Sequence, residues 1–477
     1  MGATRDQGSG SHRSGRTVDR RRFLAGGGGL AGAVLLGACS TSSPKSSNVP
    51  TSKAPTFPLG AAARAKTKPV AITVWHSMQS ANLAALQNMT RAFNSSQPDV
   101  AVSLVNQNSY TDTLTLYTAA LSGGTLPDVV QMETSDLQLM IDSQSVVSAQ
   151  AAIDADRYDL SDFLASTVEY FKVGGVIWAM PFNISSQVLY FDANAFNRAG
   201  LDPNTPPTTL VDLQSAAQKI VSSGTQKYGM SLKLSPSTFE EWLAMAGQPL
   251  LNNGNGRTAR ATSVVFDGTE GKKIASYYED IYSTKLAQPT SATAYDNLFA
   301  IANRIAPMTL ETSAALGTVV GLLSGYPEVK LGVGPMPGPS ATGGVFVGGA
   351  GLYMVSKSTD ERQDAAWQYI KYLVEPPQQA SWAAASGYVP VRKSAISESV
   401  LESRWSQIPE FKVAYNQILA SPQSAATAGP VSGAQAQVDN AVQDGLTSIS
   451  TRTSAAIALA QAASTADQAI SSYDSRL

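Results

Sequence analysis

Apolar positions in this chain follow two periods, one suited to strands and one to helices. Val70 to Trp75 is a short run rich in β-formers and predicts a buried parallel strand. Leu83, Leu86, Thr90 and Phe93 then recur at helical spacing. Val100 to Val105 reads as a second strand. Leu114, Tyr117 and Leu121 mark another helix, stopped at Gly123-Gly124, and Asp128 to Met132 reads as a third strand. Alternation of this kind is the pattern of a parallel sheet with right-handed crossovers, so the fold class is α/β.

Helical signals continue downstream. Thr209 and Asp212 form a loose capping box before a face of Leu210, Leu213, Ala217 and Ile220. Asp360 is placed to cap a helix carrying Ala366, Trp367, Ile370, Leu373 and Val374, which Pro376-Pro377 would end. Gln435 to Ile449 predicts a further helix, and the last twenty or so residues read as a frayed helix or a tail.

The first forty residues read as an address. Arg20-Arg21-Arg22-Phe23-Leu24 precedes a Gly/Ala-rich apolar run to Ala38, the layout of an export signal over 1–38. The run is shorter than the ~20 residues that span a bilayer. The arginine pair resembles a twin-arginine signal, although general secretory signals carry such pairs too. Leu36-Gly37-Ala38-Cys39 resembles a lipobox, which makes Cys39 the lipidated first residue of the mature chain. Two acyl chains anchor a protein stably to a surface, so the chain is expected at the outer face of the cytoplasmic membrane. Residues 39–68, rich in Ser, Thr, Pro, Lys and Ala, read as a flexible tether.

Composition narrows the chemistry. The 477 residues are 43% hydrophobic, with 34 basic and 36 acidic side chains and a net charge of −2. That balance offers no basic field for nucleic acid. Cys39 is the sole cysteine, and His12 and His76 are the only histidines. A disulfide and a Cys- or His-rich metal site are therefore excluded. No phosphate-binding loop signature occurs, so any ATPase must be another chain. No cofactor is implied.

In open α/β sheets, ligands sit beyond the carboxyl ends of the strands. That rule gathers Trp75, His76 and Ser77 with Glu133 and Tyr110 at one edge of the first sheet. A Trp at a strand end is more often core, and a lone Glu more often solvated, so each residue alone says little.

Five stretches resemble family 1 extracellular solute-binding proteins, above all the glycerol-3-phosphate-binding branch. They are Val74-Trp-His-Ser-Met78, Pro181 to Tyr190, Ala199 to Pro203 with Pro206-Pro207, Gly348 to Leu352, and Ser386-Gly-Tyr-Val-Pro390. The resemblance spans about 70 to 450. It implies a two-lobed periplasmic-binding-protein fold of type II, each lobe a sheet flanked by helices, joined by crossing strands. Carried over, lobe one is 69–184 plus 311–350, and lobe two is 185–310 plus 351–477. Crossings fall near 183–187, 309–313 and 348–352.

The same resemblance implies pocket positions at Tyr110, Glu133, Ser185, Thr312 with Ser313, Gly349 and Tyr388. It implies a monomeric receptor that hands its solute to ABC permease subunits, and not an enzyme. Two departures stand out. Asp439 falls where phosphate-binding relatives carry an arginine, and a carboxylate repels a phosphate dianion. Lys233 and Pro236 occupy the positions of the family's paired indoles, leaving Phe239 and Trp242 as the nearest aromatics, with a helix core the commoner home for them. A carbohydrate or polyol is therefore expected before glycerol 3-phosphate or a glycerophosphodiester, and a cationic or amino-sugar solute fits two acids as well. Two rival readings stay open: a lipid-anchored glycoside hydrolase using Glu133 and Asp439, and a scaffold or sensor that has lost its solute.

Overall fold

The computed structural model describes residues 56–291, 295–340 and 343–477. The export signal, the arginine pair and Cys39 lie outside the described residues.

The first sheet is built as its apolar runs require. β1 (Val70–His76) pairs in parallel with β2 (Val100–Asn106) and with β3 (Val129–Glu133). The crossovers are the helices Ser80–Ser96 and Tyr110–Leu121. The six-stranded sheet is completed by β4 (Val146–Val147), β7 (Met180–Ser185) and β13 (Gly348–Val355), all antiparallel to their partners or paired through β13. A small hairpin, β5 (Lys172–Val173) with β6 (Val176–Ile177), precedes β7.

After Ser186 the chain leaves this sheet. β8 (Gln187–Asp192) is the centre of a second, three-stranded sheet between β11 (Met308–Thr312) and β12 (Leu331–Pro335). A parallel pair, β9 (Met230–Lys233) with β10 (Ala287–Thr290), lies beside it. The helix Leu210–Ser222 starts at the capping box expected: Thr209 Oγ1 accepts from Asp212 N at 3.1 Å, and Asp212 Oδ2 accepts from Thr209 N at 3.2 Å.

Several sequence expectations are corrected. Residues 351–355 were placed in lobe two, but as part of β13 they pair with β3, β4 and β7 of the first sheet. The helix Asp360–Leu373 follows them there: its Tyr369 hydroxyl lies 2.7 Å from Thr90 Oγ1, on the first crossover helix. Residues 331–335 were placed in lobe one, yet as β12 they pair with β8. The strands thus leave the first sheet once, after Ser186, and return to it once, at β13, because backbone pairing and not sequence proximity assigns each strand.

Thr359, not Asp360, is the cap position of that helix, and Pro376-Pro377 opens the next helix, Pro376–Ser386, where a missing N–H costs nothing. The C-terminal stretch is neither frayed nor a tail. Helix Ala455–Asp474 buries Ala458, Leu459, Ala462, Ala466 and Ile470 against helix Gln435–Ser450. Within the stretch expected to be a tether, residues 57–65 are instead folded onto the core. Asp364 accepts the backbone N–H groups of Gly60 and Ala62, both at 2.9 Å, and Phe57 packs edge-on against Trp367. A buried carboxylate satisfying two turn amides fixes the segment.

Candidate functional site

The places where the chain changes sheets define a cavity of about 230 Å³. Glu133 enters it from the carboxyl end of β3, followed by Thr134 and Ser135 of the next turn. Ser185, Ser186 and Gln187 line it at the first change of sheet, Thr312 at the end of β11, and Gly348-Gly349 at the start of β13. Helix Pro236–Met245 contributes Glu240 and Glu241, and helix Gln435–Ser450 contributes Gln435 and Asp439. Tyr170 and Phe346 are its aromatic lining.

Gly349 is required at its position. Its φ is +104°, and a Cβ there would stand 1.9 Å from the Asn183 carbonyl oxygen, so only a residue without a side chain lets β13 pass β7 this closely.

The lining is acidic. Among the described residues, Glu133, Glu240, Glu241 and Asp439 line the cavity, and no Lys or Arg does. Burial pushes the Glu133 carboxyl up to about 8, with Asp136 and Asp439 adding to the rise. Burial likewise lifts Asp136 to about 7 and Asp439 to about 6. Glu240 and Glu241 are both driven well above the ordinary carboxylate range, burial being the largest cause. For Glu240 the hydrogen-bonded Asp439 is the next cause.

These acids differ in what holds them. Glu241 is tied to the backbone, accepting from Phe346 N at 3.2 Å, and bonds the Gln187 backbone as well. Glu240 and Asp439 are hydrogen-bonded to each other, and Gln435 Nε2 donates to Asp439 Oδ1 at 2.7 Å. Gln435 is 2% exposed, and its Oε1 has no partner.

The expected site residues separate into two groups. Glu133, Ser185, Thr312, Gly349 and Asp439 line the cavity. Trp75, His76, Ser313, Tyr110 and Tyr388 are not among its lining residues. His76 is buried, its Nδ1 accepts from Met78 N at 3.2 Å, and burial pushes it down to about 4. Trp75 is half-buried against the core. Ser313 is buried at the first change of sheet, where its N donates to the Ser186 carbonyl at 2.9 Å. Tyr110 and Tyr388 bond each other through their hydroxyls, and Asn183 Nδ2 donates to Tyr110 Oη at 2.8 Å. Phe239 and Trp242 are core: Trp242 Nε1 donates to the Pro337 carbonyl at 2.8 Å, and Phe239 packs on Phe266.

Sequence reasoning missed Tyr170, Glu240, Glu241, Phe346 and Gln435. A signal existed for the two glutamates. They sit in Phe239-Glu-Glu-Trp-Leu243, and residues 238–245 are buried on every side. Charges in a helix that is apolar all round face another polar group or a cavity.

Two sheets, repeated crossings and a polar cavity where they meet define a two-lobed solute receptor. The chain belongs to the bacterial extracellular solute-binding protein family, whose model matches residues 88–413. It is similar to the sn-glycerol-3-phosphate-binding periplasmic protein UgpB of Yersinia pestis, with 27% identity over 398 residues, 79% of this chain and 87% of that protein. The protein of the same name from Escherichia coli O6:H1 is 26% identical over 403 residues, 82% of this chain and 90% of that one. Among solved structures, UgpB from Mycobacterium tuberculosis in complex with glycerophosphocholine superposes with a TM-score of 0.71 at 19% identity, covering 84% of this chain and 99% of that one. The GacH receptor of Streptomyces glaucescens, solved unliganded and with acarbose, gives 0.69 at 19% identity, covering 84% and 98%. These neighbours share the two-lobed α/β fold.

Proposed function

We propose that this chain is the exported solute receptor of an ABC importer. It captures a small polar solute, a carbohydrate or polyol before a phosphate ester, and presents it to a membrane permease driven by a separate ATPase. The solute meets Glu133, Ser185, Thr312, Gly349 and Asp439 from both lobes and so favours their closure. Cys39 carries the lipid that holds the receptor at the outer membrane face. The solute leaves unchanged.

The observation that carries this reading is the charge of the cavity. Its lining offers carboxylates, amides and hydroxyls and no cationic side chain. Carboxyl, amide and hydroxyl oxygens accept hydroxyl hydrogens, whereas a phosphate dianion would find among the described lining residues no guanidinium or ammonium to clamp it. The UgpB relatives are named for glycerol 3-phosphate. The acidic, cation-free lining around Asp439 is the reason to separate this chain from them.

Calorimetry with sugars, polyols and glycerol 3-phosphate tests the assignment. Binding of sugars or polyols without the phosphate ester is expected. Tight binding of glycerol 3-phosphate with none of sugars would remove it, and turnover of an oligosaccharide would replace the receptor by a hydrolase.

A further inference from the structure

The carboxyl groups in the cavity are not equivalent, and the difference bears on the solute. Glu241 is occupied by backbone N–H groups. Among the described residues, Glu240 and Asp439 have no cationic side chain in salt-bridge contact. They bond each other and share one donor, Gln435 Nε2, which lies 3.5 Å from Glu240 Oε1 and 2.7 Å from Asp439 Oδ1. The amide's other end, Gln435 Oε1, is buried and unpartnered. A buried acceptor without a donor is rare in folded proteins, and here it stands beside a carboxyl pair whose one shared proton is already used between its members.

Arg257, the cation behind the Tyr170 ring at 5.0 Å, does not relieve this cluster. Its guanidinium donates to the backbone carbonyls of Gly429 at 2.8 Å and Tyr170 at 3.0 Å, and to that of Ala428. Nor do the acids converge as ligands of an ion: among the described residues, no group of three or more His, Cys, Asp or Glu could hold a metal.

Resting on the receptor reading above, we propose that the captured solute is a polyhydroxylated amine of the amino-sugar class, whose protonated N–H groups dock against Asp439, Glu240 and the free oxygen of Gln435. An unpartnered amide oxygen and a carboxyl pair holding one shared proton call for a donor-rich group, and an ammonium supplies two or three donors and a positive charge against the negative charge of that pair. A quaternary ammonium supplies the charge and no donor. It binds through aromatic cages, and of the two aromatic rings here Tyr170 already carries the Arg257 guanidinium. A hydroxyl supplies one donor and no charge. The hydroxyls of the solute fall to Glu133, Ser185 and Thr312 of the same lining.

The test compares amines with their hydroxyl isosteres by calorimetry on the purified protein: glucosamine with glucose, galactosamine with galactose, and 3-amino-1,2-propanediol with glycerol. Choline and glycerol 3-phosphate complete the panel. The amine is expected to bind about tenfold or more tightly than its isostere in at least one pair, with choline weaker than that amine and added salt narrowing the gap. The Asp439→Asn and Glu240→Gln variants, near-isosteric and checked for an intact melting transition, should each shrink the ratio. If no pair favours the amine while a sugar or polyol binds, this inference fails and the receptor reading stands. If glycerol 3-phosphate alone binds, or no compound does, both fail.

Discussion

Gln417 Nε2 donates to Ser186 Oγ at 2.9 Å, at the first change of sheet. The same nitrogen reaches the Gln187 carbonyl at 2.8 Å, and Gln417 Oε1 accepts from Met336 N at 2.6 Å. One amide therefore ties together two of the segments in which the chain changes sheets. Replacing Gln417 by Ala leaves the Met336 N–H without its partner. A loss of about 1–3 kcal/mol in urea unfolding is expected. An unchanged midpoint and slope would show that water replaces the amide.

Arg260 makes a bidentate pair with Asp142, at 2.8 and 2.9 Å, and also reaches Asp474 at 3.1 Å. Tyr473 Oη donates to Asp142 Oδ2 at 3.0 Å. Asp142 ends the helix Leu137–Asp142 that follows β3, whereas Asp474 ends the C-terminal helix, so these bonds join the first sheet's side to the second's. Arg260→Ala should open the cleft, lowering solute affinity by about 1–2 kcal/mol and raising the radius of gyration in small-angle scattering. Identical scattering and affinity would assign these bonds no role in closure.

The cavity acids also make stability depend on pH. Unfolded carboxyls titrate near ~4, but Asp439, Asp136 and Glu133 are lifted to about 6, 7 and 8 in the fold. Over that window the folded chain holds protons that the unfolded chain has lost, so stability falls as pH rises. The contribution is complete below the unfolded value and gone above the folded ones. Without solute, the melting temperature should drop between about pH 5 and 8, and Glu133→Gln should flatten the slope. A melting temperature that rises steadily across this range would contradict the protonated cluster.

Gly349→Ala meets both an unfavourable φ and the Asn183 carbonyl. A destabilisation of about 2 kcal/mol or more is expected by thermal unfolding, from strain of about 1–3 kcal/mol added to the clash. A change below ~0.5 kcal/mol would mean that β13 shifts freely.

Glu133→Ala removes both carboxyl oxygens with which this side chain could bond a solute hydroxyl. If Glu133 accepts a solute hydroxyl, affinity should fall by about 1–3 kcal/mol. Equal affinity in calorimetry would take Glu133 out of the binding site.

Local periodicity settled much of this protein before any coordinates. Val70 to Trp75 and Val100 to Val105 are strands because β-branched and apolar residues favour extended backbone and bury alternate positions such as Ile72, Val74, Val100 and Val102, and Thr209 starts a helix because its side chain and that of Asp212 satisfy each other's backbone. Asp439 was legible as a cavity residue through family likeness. What the sequence left undecided depends on which distant segments pair. Residues 331–335 and 351–355 both form strands, but nothing local to either says which sheet it joins, and β-ladder pairing sends one to the second sheet and the other to the first. Glu240 and Glu241 stand out among apolar neighbours, yet what they face is set only when the helix bearing Asp439 packs beside them. A side chain's period along the chain reports which face it occupies. Only the crossings between sheets determine what that face meets, because burial and charge in the cavity arise from residues some two hundred positions apart, as Gln435 and Glu240 are.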